Sequence, residues 1–299
     1  MSDLVLIVNP ISGAGGRAGV GRQRAELARA LLDRRGMRGD VVVTEQPGHA
    51  HQLAGAAVAR GVPLIIAWGG DGTVNEVASA MAFRDTALAI VPSGSGNGLA
   101  RELGIPLDPT RALDAALDGA DRRMDAGELD GRLFFNVAGI GFDARVAHRF
   151  AATGLVRRGF RRYAEIVVRE LFKFRPVDQT VDADGAVTRT RALLIAIANS
   201  SQYGHGALIA PGARIDDGRL DIVIVEHRPA LATLVLIPWL FAGRIAGVRG
   251  VTMIQAAEVE VSSTGSVLYH VDGEPFVGGP SLKARVHPGA LRIRAGAAS

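Results

Sequence analysis

The chain has 299 residues, of which 21% are charged and 48% hydrophobic, a balance that supports a folded core and excludes a disordered chain. It has no cysteine, which excludes disulfide scaffolds, thiolate metal sites and cysteine nucleophiles. The net charge is +4, but nine Lys/Arg and only two Glu lie between Arg145 and Arg175, so the basic charge forms a local patch. Such a patch suits anionic lipid surfaces, polyphosphates or nucleic acid.

The first 125 residues alternate apolar runs with helical segments. The predicted strands are Leu4–Val8, Asp40–Val43, Leu64–Trp68 and Ala87–Val91. The predicted helices are Arg22–Leu32, His49–Arg60, Val74–Met81 and one that opens at Leu99–Leu103. Continuous apolar strands that alternate with helices indicate a parallel sheet buried on both faces. We therefore expect an α/β domain over residues 1–125.

From about Ala126 the sequence changes to β-branched strands separated by Asp-Gly pairs, which are strong hairpin signals. The pairs are Asp130-Gly131, Asp184-Gly185, Asp217-Gly218 and Asp272-Gly273. The predicted strands are Leu133–Val137, Leu193–Ala198, Leu220–Val225, Val259–Ser262, Val267–Val271 and Leu282–Val286. This pattern predicts an antiparallel β-sandwich or barrel over residues 126–286, and the tail from about 287 to 299 is a candidate to return to the first domain.

Two segments of the second half bear on membrane contact. A helix is predicted over Leu155–Phe174, and its basic face suits either an anionic membrane or ordinary solvent. Its apolar face carries Val156, Phe160, Tyr163, Val167, Leu171 and Phe174, and its basic face carries Arg158, Arg162, Arg169 and Lys173. The fifteen-residue apolar run between Arg228 and Arg244 contains two prolines and is too short to span a bilayer, which takes about 20 residues. We expect a core or interfacial helix there.

The N-terminus carries an acidic residue and no basic cluster, so no signal peptide is expected. We therefore expect a cytoplasmic protein with peripheral membrane contact and no nucleic-acid partner, and a homodimer is left open. The isolated histidines, His49, His148, His205, His227, His270 and His287, lack metal-ligand spacing and are assigned to turns and surface.

Each of the first four predicted strands is followed by a loop of polar residues or glycines. The loops are Asn9–Gly13, Thr44 with Gly48-His49-Ala50, Gly69–Thr73 and Pro92–Asn97. Ligands of open parallel sheets bind outside the carboxyl ends of the strands, so the four loops are expected to line one crevice. The only lysines, Lys173 and Lys283, lie outside any Gly-Lys-Ser/Thr sequence, which excludes a Walker A loop. Glycine-rich loops that open helices would bind phosphates through backbone amides instead.

Asp71 is the most informative residue of these loops. A carboxylate among phosphate-binding glycines repels a phosphate unless a cation bridges them, which indicates Mg²⁺ bound with the nucleotide. The alternative is that Asp71 caps the helix that follows it.

Three motifs in this order resemble the catalytic-domain family of the diacylglycerol kinases, which includes bacterial lipid kinases and the sphingosine and ceramide kinases. They are Asn9-Pro-x-Ser-Gly13, Gly69-Gly-Asp-Gly-Thr-x-Asn-Glu76 and Pro92-x-Gly-Ser-Gly-Asn97. Segments of the β-rich half also resemble the family: Phe135–Asp143, Pro211–Leu220 and Val271–Pro275. The resemblance implies a two-domain lipid kinase with an NAD kinase-like α/β domain, ATP and Mg²⁺ between the domains, and a lipid acceptor at a membrane surface.

The resemblance also implies roles for individual residues. The implied nucleotide contacts are Asn9, Pro10, Ile11, Ser12, Gly13, Thr44, Gly70, Asp71, Gly72, Thr73, Val74, Asn75, Glu76 and Ser95. A structural Mg²⁺ would bind the Asp217 carboxylate and the carbonyls of Arg214 and Arg219. Asp272 and Glu274 lie where the family places its general base, and both are kept as candidates.

From the residues alone, Asp272 could equally be a hairpin residue, although two carboxylates one residue apart in an extended segment would point the same way. Asp143 and the Tyr203-Gly204 loop are candidates to face the acceptor. Many bacterial diacylglycerol kinases carry Thr at the position of Ser95 and Asp at that of Gly98, and this chain is closer to the sphingosine and ceramide kinase pattern. The acceptor therefore stays open between diacylglycerol-like and sphingoid-like lipids. The alternatives are an NAD kinase-like phosphotransferase and a non-catalytic sensor.

Overall fold

A computed structural model describes residues 3–13, 19–152 and 160–296, and in the last range it describes side chains from residue 164 onward. The chain divides into two compact units, one running up to Met124 and resuming at Gly289, the other spanning Asp125–Pro288. The chain passes between them within two strands, β5 (Ala120–Leu129) and β18 (Ser281–Ala295). No helix of the described residues is long and apolar enough to cross a membrane.

The first unit is an α/β domain built on a parallel sheet in the order β2-β1-β3-β4. Its elements are β1 (Leu4–Val8), α1 (Val20–Arg34), β2 (Gly39–Val43), α2 (His49–Ala59), β3 (Leu64–Gly69), α3 (Asp71–Met81), β4 (Ala87–Pro92), α4 (Gly98–Glu102) and α5 (Pro109–Asp118). Every residue of β1, β3 and β4 is buried, as continuous apolar runs require. The C-terminal part of β18 pairs in parallel with β4, with Ile293 opposite Leu88.

The second unit is an antiparallel β-sandwich. Its first elements are β6 (Arg132–Phe134), β7 (Val137–Gly141), α6 (Phe142–Ala151), α7 (Phe160–Leu171), β8 (Gln179–Ala183), β9 (Ala186–Thr190) and β10 (Ala192–Ala198). These are followed by β11 (Gln202–Gly204), β12 (Ala207–Leu208), β13 (Leu220–Glu226), α8 (Ala230–Leu234), α9 (Leu236–Phe241), a 3₁₀ turn at Ile245–Gly247, β14 (Val251–Ala256), β15 (Glu258–Ser263), β16 (Val267–Val271) and β17 (Glu274–Gly278). One sheet has the order β14-β13-β10-β7-β16-β17, and the other contains β18-β15-β8-β9.

Two apolar clusters hold this unit together. The first lies between the two sheets and joins Ile195 and Ile222 of one to Val181 and Val261 of the other. The second lies on the outer face of the six-stranded sheet, where α6, α7 and α9 pack. Its members from these helices include Phe142, Val146, Leu171 and Leu236.

The Asp-Gly turns are confirmed as hairpins at three of the four predicted positions. Asp130, Asp184 and Asp272 all have positive φ, as do the glycines after them, which is the backbone that a type I′ turn needs. Asp217-Gly218 is a turn that leads into β13 rather than a link between two paired strands.

The single helix predicted between Arg228 and Arg244 is two short helices, α8 and α9, and three other predicted elements also differ from the structure. The strand predicted over Leu133–Val137 is split into β6 and β7, because the amides of residues 135–137 donate to the Asp272 carboxylate instead. The strand predicted to end at Val286 continues to Ala295 as β18. The helix predicted from Val74 begins at Asp71, which places that carboxylate in its first turn.

The helix α7 corresponds to part of the predicted basic helix. Leu171 is buried and Val167 and Phe174 are half-buried, while Arg169 and Lys173 are exposed, so the predicted division of its faces is confirmed there. The other members of the two faces, Val156, Arg158, Phe160, Arg162 and Tyr163, lie outside the residues whose side chains are described.

Candidate active site

The loops that follow β1, β3 and β4 are tied together by side-chain hydrogen bonds in the first unit. Asn9 Nδ2 donates to Thr73 Oγ1 over 2.7 Å, which joins the first loop to the third. The hydroxyls of Ser12 and Ser93 lie 2.6 Å apart, which joins the first loop to the fourth. The predicted convergence of these loops at the carboxyl ends of the strands is therefore present.

Glycines allow the loops to approach this closely. A Cβ on Gly94 would lie 2.6 Å from the Cα of Gly70, so the two glycine-rich loops contact each other through bare backbone. Gly13 has a φ of +82°, and a Cβ there would lie 2.2 Å from the carbonyl oxygen of Ser93. Substituting any of these glycines would separate loops that the site holds together.

Asp71 and Glu76, in the first two turns of α3, each accept amides at the start of another helix. Asp71 Oδ1 accepts from the Gly98 amide over 2.7 Å and Oδ2 from the Asn97 amide over 2.9 Å, at the start of α4. Glu76 accepts from the amides of Gly48 and Ala50 at the start of α2, over 3.0 and 3.1 Å. The alternative that Asp71 caps its own helix is wrong, since its carboxylate reaches the helix after the next strand.

Arg24 is part of this site and sequence reasoning missed it. Its Nη1 donates to the Asn9 carbonyl and to Ser12 Oγ, each over 2.8 Å, and its Nη2 donates to the Ser12 carbonyl over 3.2 Å. Burial lowers the pKa of the guanidinium, but arginine keeps its charge. A permanent positive charge therefore lies in contact with the first loop. Its position on α1 gives no motif by which the sequence could reveal it.

The remaining predicted nucleotide residues lie on the same four loops or in the first turns of α3, and they differ in exposure. Thr44 is buried, and its amide donates to the Val8 carbonyl over 2.9 Å. Val74 is also buried, Pro10 and Asn75 are half-buried, and Ile11, Gly72 and Ser95 are exposed. Pro10 packs against α1 so closely that a Cβ on Gly21 would lie 2.4 Å from its own Cβ.

In the second unit, Asp272 holds a loop together. Its Oδ1 accepts from the amides of Asn136 and Val137 and its Oδ2 from that of Phe135, each over 3.0 Å. Asp272 and Gly273 form the turn between β16 and β17 with left-handed backbone, so the predicted extended Asp-x-Glu segment is wrong. Glu274 begins β17, where its backbone pairs with Val271, and its exposed side chain has no hydrogen bond or ion pair to another described residue.

A buried polar cluster lies beside this turn. His270 Nε2 and Asp143 Oδ2 are 3.2 Å apart, and the Tyr203 hydroxyl donates to the same Asp143 oxygen over 2.5 Å. The Gly273 amide donates to His270 Nδ1 over 3.3 Å, which leaves Nε2 as the protonated nitrogen that donates to Asp143. The assignment of His270 to turns and surface is therefore wrong, since its side chain is 8% exposed.

One sequence signal could have located this cluster. Gly139 in β7 lies opposite His270 in β16, and a Cβ there would lie 1.9 Å from Asp143 Oδ2. A glycine inside a strand often marks such a close approach.

A second set of buried polar groups extends from the loop that Asp272 holds. Asn136 Nδ2 donates to the Gln202 carbonyl over 2.8 Å, and the Ser200 hydroxyl donates to Asn136 Oδ1. Asn199 donates to the carbonyls of Asp125 and Phe135, while its own Oδ1 is buried without a partner among the described residues. These hydrogen bonds hold in place the residues around the Asp272 turn.

The predicted structural metal site lies on the turn before β13. Asp125 braces that turn by accepting from the Gly218 amide over 2.7 Å. Asp217 is exposed, and its Oδ1 accepts from the Arg219 amide over 3.0 Å. Among the described residues no group of three or more His, Asp or Glu side chains could hold a metal ion. One carboxylate with two carbonyls still fits Mg²⁺, which takes oxygen ligands and keeps several waters.

Comparisons with known proteins agree on the family of this chain. The family model described as "Diacylglycerol kinase catalytic domain" matches residues 3–129. The model described as "YegS C-terminal NAD kinase beta sandwich-like domain" matches residues 136–295. Together they cover nearly all of both units.

Relatives of similar length support the same assignment. A Pseudomonas aeruginosa protein named "Probable lipid kinase YegS-like" is 33% identical, over 99% of this chain and 96% of its own length. A Mycobacterium tuberculosis protein named "Diacylglycerol kinase" is 33% identical, over 96% and 93%. A crystal structure titled as a diacylglycerol kinase from Bacillus anthracis has a TM-score of 0.73 at 19% identity, covering 98% of this chain and 97% of that one, which supports the fold. The chain therefore belongs to the diacylglycerol kinase catalytic-domain family, and it is a kinase.

Proposed function

We propose that this protein transfers the γ-phosphoryl group of ATP to the hydroxyl of a lipid, diacylglycerol-like or sphingoid-like, at a membrane surface. The observation that carries the proposal is the bonded set of loops after β1, β3 and β4, in a chain of this family. The sequence features that separate it from an NAD kinase-like enzyme are the first and fourth loop motifs, which accompany the shared Gly-Gly-Asp-Gly-Thr.

The nucleotide phosphates would lie against the glycine-rich loops and the start of α3. A helix N-terminus presents amides that the helix itself cannot pair, together with the positive end of its dipole. Gly72, in the first turn of α3, leaves the backbone open to a phosphate, because it is exposed and nothing lies within 4 Å of the place where a Cβ would be. Arg24 adds a permanent positive charge in contact with the first loop. A Walker A loop would supply this charge through its lysine, which this chain lacks.

Mg²⁺ bound with the nucleotide would neutralise charge that develops on the transferred phosphoryl group. Asp71 would face this ion while both of its oxygens also accept amides of α4, so its position is set before any ligand binds. The carbonyls of Arg214 and Arg219 with Asp217 would hold a second, structural ion that stiffens the turn before β13.

The base that accepts the hydroxyl proton would come from the turn between β16 and β17. Phosphoryl transfer has a loose transition state, so a carboxylate that positions the hydroxyl and takes its proton is sufficient. Glu274 is exposed and unengaged, whereas Asp272 already accepts three amides and has little remaining acceptor capacity. Both stay candidates for the base, and Asp272 in addition shapes the loop at 135–137.

The test is transfer of a radiolabelled γ-phosphoryl from ATP to a panel of lipids in mixed micelles, with NAD as a non-lipid acceptor. We expect label in a lipid and none in NAD. Label in NAD alone would support the NAD kinase-like alternative, and label in neither would contradict a lipid of the panel as the acceptor.

The variant Thr73→Val tests the placement of the nucleotide. It keeps the shape of the side chain but removes the hydroxyl that accepts from Asn9, so the KM for ATP should rise. Thr86→Val is a matched control, because Thr86 is 8% exposed and lies outside the loops. Equal KM values in the two variants would contradict a nucleotide site at these loops.

A further inference from the structure

The helices α8 and α9 expose an unusual number of large apolar side chains. Among their residues and the one between them, Leu231 is 71% exposed, Val235 64%, Ile237 41%, Trp239 45% and Phe241 45%. We call these five side chains the 231–241 surface. The segment is not loosely attached, because Leu236 is buried and Leu234 and Leu240 pack on the outer apolar cluster of the β-sandwich. One side of the segment is therefore anchored in the core while the other presents only apolar groups.

The charged side chains along this part of the chain are mostly basic, although the exposed Glu226 lies beside them: its Oε2 and the Nη2 of Arg228 both border Gly250. Arg228, Arg244 and Arg249 are the charged side chains from residue 227 to 257, and no Asp or Glu occurs there. Arg244 and Arg249 are exposed, and Arg228 donates to the Arg249 carbonyl, which holds these two residues close together. An apolar surface bordered by cations matches a partner with an apolar interior and an anionic edge.

The exposed residues of helix α7 also include large apolar and basic side chains. The helix packs on the same apolar cluster as α9 through Ile166 and Leu171. Its exposed residues include Val168 at 43% and, just beyond its end, Phe172 at 55%, next to the exposed Arg169 and Lys173. Apolar and basic side chains are therefore exposed on this layer as well, together with one exposed acid, Glu165.

We propose that the 231–241 surface inserts into the interfacial region of an anionic lipid bilayer. Two short helices of five and six residues cannot span a membrane, but they can lie in its plane with their apolar side chains among the acyl chains. Trp239 suits this depth, since indole is enriched where the headgroups meet the hydrocarbon. The three arginines would remain at the level of the anionic headgroups.

A second copy of this chain fits the surface less well than a bilayer does. A two-fold contact places the same patch on both sides, so each arginine-bordered patch would face another patch of the same net charge. Glu226 beside Arg228 is one carboxylate against three arginines, and an excess of like charge across an interface is unfavourable. An anionic membrane supplies both the apolar volume and the opposite charge.

This inference deepens the proposed function by naming the surface that reaches the membrane, but vesicle binding can be measured without nucleotide or turnover. The full chain is mixed with vesicles of equal parts phosphatidylglycerol and phosphatidylcholine, and with pure phosphatidylcholine, and sedimented. The variant carries Val235→Glu with Phe241→Glu. The control is Val187→Glu, because Val187 on β9 is 61% exposed and lies outside the surface. We expect the double variant to bind the anionic vesicles about tenfold more weakly or worse and the control to bind like wild type.

Tryptophan fluorescence gives an independent readout of insertion. The chain has two tryptophans, and Trp68 is 1% exposed within β3, so quenching by lipids brominated on their acyl chains reports on Trp239. Quenching should occur with anionic vesicles, and Trp239→Phe should still bind but lose the quenched fraction. Wild-type binding by the double variant, or bound protein without quenching, would overturn the proposal. So would a wild-type dimer in light scattering that the double variant abolishes, since a second copy would then cover the surface.

The kinase assay is kept separate from these measurements. With a short-chain acceptor dispersed below its micelle concentration, the double variant should retain the wild-type rate, because the substitutions lie outside the proposed catalytic residues. Binding without any lipid phosphorylation would leave this surface standing and contradict the proposed function instead.

Discussion

The Oδ1 atom of Asp71 lies 2.7 Å from the amide nitrogen of Gly98, so a residue of the third loop caps the helix that the fourth loop opens. The second oxygen of the same carboxylate accepts from Asn97, whose own side chain closes the loop by bonding to both the amide and the carbonyl of Gly94. The two glycine-rich loops therefore form one bonded structure. A substitution at Asp71 acts on the shape of both loops as well as on any ion that the carboxylate binds.

This double role changes what Asp71→Asn is expected to do. The substitution is isosteric, but an amide nitrogen would face one of the two backbone donors, which leaves that bond unmade. We expect turnover to be abolished and the free energy of unfolding to fall by roughly 1–3 kcal/mol. Steady-state kinetics and denaturant unfolding measure the two effects separately.

Asp108→Ala is the control for Asp71→Asn. The Asp108 carboxylate likewise accepts a backbone amide at the start of a helix, that of Arg111 in α5 over 2.9 Å, but it lies outside the loops. The substitution should lower stability and leave turnover intact. Near wild-type activity in Asp71→Asn would mean that the carboxylate is a structural cap alone.

The two candidate bases should be separable by stability. Asp272→Asn and Glu274→Gln should each lower kcat by about tenfold or more, one more than the other, with little change in ATP affinity. Asp272→Asn should also lower the melting temperature, because an amide nitrogen would replace one of the two oxygens that accept from three backbone amides. Glu274→Gln should not lower the melting temperature, since the Glu274 side chain is exposed and has no hydrogen bond or ion pair to another described residue.

The double variant of these residues should be little worse than the more damaging single variant, because groups that act as one unit are not additive. Full kcat in both single variants would mean that this segment serves only as a hairpin. Asp71 would then be the first residue to test as the base.

The proposed structural ion can be tested by thermal unfolding. Added Mg²⁺ should raise the melting temperature of the wild type more than that of Asp217→Ala, because a ligand that binds only the folded state stabilises it. Asp217→Ala should also reduce activity by loosening the turn before β13. Equal shifts in the two proteins would show that Mg²⁺ is not held at this turn.

The pair Arg145–Glu170 should make stability depend on pH. Their Nε and Oε2 atoms are 2.6 Å apart, and Arg145 is the main reason why the pKa of the Glu170 carboxyl lies below its usual value. A carboxyl with a depressed pKa stabilises the fold above its unfolded pKa, about 4.3, and that contribution is lost as the pH falls through the folded pKa. Glu170→Gln should therefore cost roughly 1.5–3 kcal/mol at neutral pH and progressively less on acidification below about pH 4.

Melting curves between neutral pH and pH 3 would measure this difference. Glu165→Gln is the control, because Glu165 lies on the same helix and is exposed. A constant difference between wild type and Glu170→Gln across the whole range would contradict the assigned ion pair.

Local patterns predicted most of the fold because they depend on near neighbours. β1 and β16 match their predicted limits, and three Asp-Gly pairs adopt the expected turns, since an apolar run and a positive φ are properties of a few residues. The loops of the first unit were predicted to converge for a similar reason, because parallel strands all end at one edge of the sheet.

What could not be predicted are contacts between residues far apart in sequence. Asp272 bonds to amides about 135 positions earlier, and this contact both splits a predicted strand and gives the residue a structural role. His270 is buried because Gly139 on the neighbouring strand leaves room for it beside Asp143. A glycine within a strand can mark a close approach, but it does not identify His270 as the residue that approaches until the register of the two strands is known.

The pairing of β18 with β4 has a consequence for synthesis on the ribosome. Leu88 is translated about two hundred residues before Ile293, its partner across these strands. Until β18 emerges, β4 is the unfinished edge of an apolar parallel sheet, and such edges invite pairing with other chains. The nascent protein therefore carries an aggregation-prone strand through most of its translation. Chaperone supply during expression should affect its yield more than that of a protein whose strands pair in the order in which they are made.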